Sequence, residues 1–199
     1  MAKSNTKGTN FLVQGSILAI ASIISRIIGL IYRIPMTAII GDVGNNYYAA
    51  AFDIYNVMLI ISSYSLPLAV SKLVSAKMAK GQFKTAYQVL KGALLFALVS
   101  GTIVAVIVFF GAGFFTKTLL STPNSIFALR VLAPALIIVA VLGVIRGFFQ
   151  GLGTMMPSAV SQIIEQVVNA IVSVWAAYVL YRVGAKTGAV LGDKEHYAA

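Results

Sequence analysis

The sequence predicts an all-α fold, a polytopic transmembrane helical bundle, and three observations carry that reading. Of the 199 residues, 59% are hydrophobic and only 10% are charged, against roughly a quarter charged in soluble domains. The mean hydropathy is +0.93. The apolar residues gather into runs of about 20, the length that crosses a hydrocarbon core of about 30 Å, and most cations fall between those runs.

Five spans follow in chain order. The first covers 11–34 and extends toward Ile40; Pro35 is expected to kink or end it, because proline lacks a backbone donor and crowds the preceding turn. The second covers 47–70, with Pro67 near its end. The third, 92–115, carries no charge. The fourth, 126–145, has Arg130 near its start and Pro134 inside it. The fifth, 158–181, contains Glu165. Polar or Gly/Pro-rich connections at 41–46, 71–91, 116–125 and 147–157 separate the spans. Residues 184–199 read as a polar tail, or the start of a loop to a sixth span. Five passes are an odd count for a complete transporter, so residues 1–183 read as the N-terminal part of something larger.

Charge sets the expected orientation. With the N-terminus in the cytoplasm, Lys3, Lys7, Lys72, Lys77, Lys80, Lys84, Lys91 and Arg146 lie inside, and Lys117, Arg182, Lys186 and Lys194 outside. That excess of inner cations satisfies the positive-inside rule. The net charge of +10 is then a topology signal plus attraction to anionic lipids. No nucleic-acid partner is expected, because no soluble domain is present to carry one. Lys77, Lys80, Lys84 and Lys91 keep a helical spacing, which predicts an amphipathic helix on the inner leaflet. Cysteine is absent and the one histidine, His196, lies in the tail, so no metal site, thiol chemistry or cofactor is expected.

The polar residues inside the spans carry the functional reading. Arg26 and Arg33 are seven residues apart, close to two helical turns, and project from nearly one face; Gly15, Ser22 and Gly29 share it. An arginine at the centre of a membrane helix costs roughly 2.5–3.5 kcal/mol on insertion scales, and such cations face a bundle interior or an aqueous cavity. Arg33 lies near the outer end of its span, where it can snorkel to the interface or pair with Asp42 or Asp53. Arg26 is about 22 Å along the helix from Phe11, too deep for easy snorkelling, and is the stronger candidate for contact with an anion.

In the fifth span Ser158, Gln162, Glu165 and Asn169 fall on one helical face, flanked by Gln166. They are either interhelical glue, with Glu165 neutralising an arginine such as Arg26, or a lumen-facing acid with its polar neighbours. Asp53 and Asn56, three residues apart, share a face of the second span, which favours a structural pairing role. Tyr47, Tyr48 and Tyr64 read as an interfacial aromatic belt. Gly143, Gly147 and Gly151 recur every four residues, a spacing that allows close helix approach.

Three segments then resemble a known family. Ser25-Arg26-Ile27-Ile28-Gly29-Leu30-Ile31-Tyr32-Arg33-Ile34-Pro35 is similar to the first-helix signature of the stage V sporulation protein B group, relatives of the MurJ-type lipid II flippases. Leu66-Pro67-Leu68-Ala69-Val70-Ser71-Lys72-Leu73-Val74-Ser75 resembles that group's second-helix exit. The third segment runs Arg146-Gly147-Phe148-Phe149-Gln150-Gly151, then Met156-Pro157, Ser161-Gln162 and Glu165-Gln166.

The resemblance implies a MATE-like fold of the multidrug/oligosaccharidyl-lipid/polysaccharide exporter superfamily, with two six-helix lobes flanking a central cavity. This chain would supply five helices of the incomplete N-terminal lobe, the remaining helices of the transporter being its partner. The resemblance further implies a bacterial plasma membrane location. The implied activity is alternating-access flipping of lipid-linked cell-wall or polysaccharide precursors, carried on a polyprenyl diphosphate, and not an enzymatic reaction.

Arg26 matches the first cavity arginine of the MurJ type within the Ser-Arg-x-x-Gly frame. Tyr32 stands where a second arginine is usual, Arg33 where an aspartate is common, and no charge occurs near Leu59 and Ile60. These departures favour the sporulation and polysaccharide branch. Two rival readings stay open: a cation-coupled multidrug exporter of the same fold, which would want carboxylates where the first helix has arginines, and a membrane-embedded accessory or enzyme of polysaccharide assembly.

Overall fold

The computed structural model describes residues 5–63, 65–119 and 122–191, with side chains described from residue 13 to 184 apart from 63, 64, 119–121 and 123. Lys3, Lys7, Tyr64, Lys186, Lys194 and His196 lie outside the described side chains. The elements are α1 (Asn5–Ser63), α2 (Leu66–Ala79), α3 (Phe83–Phe114), α4 (Ile126–Gly151) and α5 (Met156–Leu191); a π turn (Phe115–Leu119) and a 3-10 turn (Pro123–Ser125) link α3 to α4. Among the described residues there is no strand.

Among the described residues, length and apolar composition single out four runs able to cross a membrane: Val13–Ala79, Phe83–Thr118, Ile126–Gly151 and Met156–Gly184. The first, with 67 residues, would measure about 100 Å if straight, far more than one crossing needs. It is divided at Gly41, whose φ of 68° and ψ of −177° belong to a region open essentially to glycine alone. Two arms result, 5–40 and 42–63.

Contacts along α4 fix the direction of each arm. Tyr47 accepts a hydrogen bond from Asn124, just before α4 begins, while Pro67 packs on Gly143 and Gly147 and Val74 on Gly151, near its end. The second arm and α2 therefore run parallel to α4. The first arm runs the other way, beginning near Met155, whose N–H donates to Gln14 Oε1. The chain thus makes five alternating passes, and the count of five is an approximation that depends on dividing the first run at Gly41.

Several boundaries differ from the sequence reading. The helix passes through Pro35 without ending, and the bend comes six residues later. Nearby, Thr37 Oγ1 donates to the carbonyls of Arg33 and Ile34 at 3.0 Å each, bonds that a threonine commonly makes within its own helix. The 47–70 span is interrupted after Ser63, and Pro67 opens α2, where its missing N–H costs nothing. The expected amphipathic lysine helix does not form: Gly81, at φ 69°, separates α2 from α3, leaving Lys77 on one helix, Lys84 and Lys91 on the next, and Lys80 in the turn. α5 continues to Leu191, into residues that the sequence reading assigned to a polar tail.

The packed core belongs to the second arm, α2, α3 and α4. Ala51, Ile54 and Tyr55 meet Ala105, Val108 and Ala112 of α3 and Leu129, Ala133 and Leu136 of α4. Toward the other end Val70 and Val74 meet Ala86, Ala97, Ala140 and Val144. These seams are rich in alanine and glycine because lipid gives no hydrophobic drive to helix association, so close backbone approach and dispersion contacts must hold the bundle. A Cβ at Gly101 would already lie 3.2 Å from Ile137 Cα. Large apolar side chains such as Phe110, Phe127 and Val131 point outward.

α5 is attached differently. Beyond Ala159 none of its described residues is buried, and it leans mainly on the first arm of α1. Gln14 meets Met155 N, Ser22 Oγ meets Gln162 Oε1 at 3.4 Å, Gly29 lies beside Gln166, and Asn169 Nδ2 donates to Tyr32 OH at 3.2 Å. Both residue numbers rise together along this series, so the two helices are parallel and joined by polar contacts.

Candidate functional site

The first arm, the second arm and α5 line an open cavity of about 730 Å³. Its first wall is the face marked by the two arginines: Ser22, Ser25, Arg26, Gly29 and Arg33 all line it, with Tyr32 and Met36. The helical repeat predicted this shared face, although Gly15 lies beyond the cavity. The second wall is Tyr48, Ala49, Phe52, Asp53 and Asn56, and α5 adds Gln162 and Gln166.

Electrostatically the first wall is cationic. Among the described residues the sole ion pair joins Arg146 and Glu165, so neither Arg26 nor Arg33 has a protein counter-ion, and the pairing of Arg33 with Asp42 or Asp53 does not occur. Ser25, only 4% exposed, has a buried Oγ with no hydrogen-bond partner. Ser22 Oγ is satisfied by Leu18 O at 2.9 Å. An arginine offers a planar fork of permanent donors matched to phosphate oxygens, and two such forks with adjacent hydroxyls suit a multiply charged oxyanion.

The polar stripe of α5 divides. Gln162 lines the cavity. Asn169 holds Tyr32 and accepts from Ser173 Oγ at 2.9 Å, so it acts as interhelical glue. Glu165 does neutralise an arginine, but the arginine is Arg146, not Arg26: Arg146 Nη2 donates to Glu165 Oε2 at 2.6 Å and Nε donates to Ser161 Oγ at 2.9 Å. Ser158 Oγ donates to the Arg146 carbonyl at 3.3 Å. The short α4–α5 elbow brings these groups together, whereas the sequence reading took Arg146 for an interfacial topology charge.

The Arg146–Glu165 clasp yields a prediction. Its side chains are 22% and 44% exposed, so screening limits its strength. Arg146→Ala is expected to lower the melting temperature in detergent by about 2–4 °C, and the exchange Arg146→Glu with Glu165→Arg to restore most of it. A full double-mutant cycle reads the coupling; additive single effects would show that the pair contributes nothing.

Sequence reasoning passed over Ser25, Tyr48, Phe52 and Gln166 as cavity residues. Tyr48 had been placed in an interfacial belt; the available signal was the spacing of Tyr48, Phe52 and Tyr55 along one helical face.

The model of a family described as polysaccharide biosynthesis protein matches residues 11–192. The chain belongs to the polysaccharide biosynthesis protein family. Relatives in Bacillus subtilis (strain 168) include the lipid II flippase MurJ, 32% identical over 181 residues that make up 86% of this chain and 33% of the relative. Stage V sporulation protein B is 31% identical over 159 residues, 80% of this chain and 31% of the relative. Both groups named by the sequence resemblance are thus among its relatives. The chain spans about a third of the length of the curated relatives it matches. No solved structure matches it significantly. Within this family's chain, the segment from Ser25 to Pro35 supplies the arginine wall, and Arg146 to Gln166 supplies the elbow and the third wall.

Proposed function

We propose that this chain is the N-terminal lobe of a membrane flippase that moves lipid-linked cell-wall or polysaccharide precursors by alternating access. One observation carries the reading: Arg26 and Arg33 share a cavity between helices and, among the described residues, neither has a counter-ion. The ligand that answers them is the diphosphate of a polyprenyl carrier, with the prenyl tail remaining in lipid while the head group occupies the cavity. The further helices of the transporter close the cavity on its open side. The membrane is the bacterial plasma membrane with the N-terminus cytoplasmic, and Lys77, Lys80, Lys84 and Lys91 meet anionic head groups from the two helices that flank the Gly81 turn.

The test is reconstitution of the full-length protein into vesicles holding a fluorescent, sugar-capped prenyl diphosphate in both leaflets. Bleaching of the outer leaflet is expected to be followed by loss of the protected inner signal at a rate well above that of protein-free vesicles. Equal rates would refute the flippase reading.

A further inference from the structure

The two long walls of the cavity differ in chemistry. The first arm presents the cations Arg26 and Arg33 beside serine hydroxyls. The second arm presents the rings of Tyr48 and Phe52, stacked with centroids 5.6 Å apart and planes at 17°, next to Asp53 and Asn56. Tyr55, buried in the core, stacks on Phe52 at 5.9 Å and so ties the ring pair to the rigid part of the bundle.

Asp53 is exposed, and among the described residues its carboxylate has neither a hydrogen bond nor an ion pair. It shares a cavity with two unneutralised arginines, yet a diphosphate seated on those arginines is repelled by it. Its chemistry suits a neutral group rich in donors: a carboxylate accepts hydroxyl and amide hydrogens in charge-assisted bonds, and Asn56 adds both a donor and an acceptor. Beside them a flat ring offers an apolar, electron-rich face, which is what the C–H face of a sugar ring meets best. A volume of about 730 Å³ lies in the upper part of the range for small-molecule sites, about 300–1,000 Å³, leaving space for a ring beside the diphosphate.

We infer that Tyr48, Phe52, Asp53 and Asn56 form a subsite for a neutral sugar attached to the diphosphate, with Asp53 as the residue that selects it. This inference rests on the diphosphate reading of the arginine wall. Asp53 accepts from the ring hydroxyls and excludes acidic sugars by repulsion, while Phe52 and Tyr48 support the ring face.

The test measures binding of three probes to the purified full-length protein: a C15 prenyl diphosphate left bare, capped with glucose, or capped with glucuronic acid. The glucose-capped probe is expected to bind about tenfold more tightly than the bare one, and the glucuronic acid probe more weakly than the glucose probe. Asp53→Asn should remove most of the glucose advantage, erase the difference between the two sugars, and strengthen bare-diphosphate binding, since a repelling charge is gone. Should that variant aggregate, Phe52→Leu provides the same comparison and should weaken the glucose-capped probe selectively. Equal wild-type affinities for bare and glucose-capped probes would overturn the subsite. So would an Asp53→Asn effect identical on all three probes, as a structural role or a pairing with Arg26 or Arg33 would produce. Arg26→Ala separates the two readings: unchanged bare-diphosphate affinity defeats the arginine wall itself, whereas a loss there with no sugar discrimination defeats only the subsite.

Discussion

Arg26→Ala is expected to abolish transport by the full-length protein while leaving its abundance in the membrane unchanged. Arg26 makes no ion pair among the described residues, so its removal strands no partner charge there; what it removes is a fork of donors in the cavity wall. Truncating one side of a desolvated, hydrogen-bonded charge pair costs roughly 2–5 kcal/mol, which corresponds to a fall in ligand affinity of about thirtyfold or more. Arg26→Lys keeps the charge but not the bidentate geometry and should fall between. Arg33→Ala should have the smaller effect of the two alanine variants. Genetic complementation with immunoblotting, together with inorganic pyrophosphate binding, checks the series. Full complementation by Arg26→Ala at normal abundance would remove the basis of the proposed function.

Gly147→Leu is expected to prevent assembly of the bundle. A Cβ at Gly147 would lie 2.8 Å from Pro67 Cα, against the Pro67 carbonyl, and one at Gly151 would lie 2.7 Å from Val74 Cβ and 2.8 Å from Ser71 O. The obstacle is backbone, which cannot rotate aside as a side chain can. Overpacking of a tight core costs about 1–3 kcal/mol, and a leucine against two helix backbones lies at or beyond the top of that range. Gly92→Ala and Gly113→Ala in α3 are the controls, because no atom lies within 4 Å of a Cβ at either position and alanine favours the helix by about 1 kcal/mol. Size-exclusion chromatography in detergent should show aggregation for Gly147→Leu alone. A monodisperse Gly147→Leu protein with wild-type melting would show that α4 and the start of α2 are not in close contact.

What could be read from the sequence divides along physical lines. Periodicity reports which residues share a face, and so it brought Arg26, Arg33, Ser22 and Gly29 together correctly. It does not report which helix that face meets. Glu165 and Arg146 are therefore the instructive pair: each was recognised as a charge needing explanation, but their meeting depends on the geometry of a short elbow. The same limit applies to Asp53, whose spacing with Asn56 suggested structural pairing, although the carboxylate lines the cavity without a partner among the described residues. Bends were misplaced because proline advertises itself in sequence and a helical Pro35 can be accommodated, whereas the positive φ at Gly41 does not show in composition. The glycine repeat of α4 was a weak signal in a chain with 17 glycines, and only the approach of Pro67 gives it weight.

The walls of the cavity come from far apart in the chain, residues 22–36, 48–56 and 162–166. At translation rates of about 5–20 residues per second, the ribosome needs on the order of ten seconds after Arg33 to produce Gln166. Throughout that interval an arginine-bearing helix sits in or beside the membrane without its parallel neighbour. Polar contacts through Ser22, Tyr32 and Gln14 are then available to water, lipid head groups or insertion machinery. Completion of the site is accordingly a late event of biogenesis, set by the arrival of α5 and not by the folding of the four-helix core.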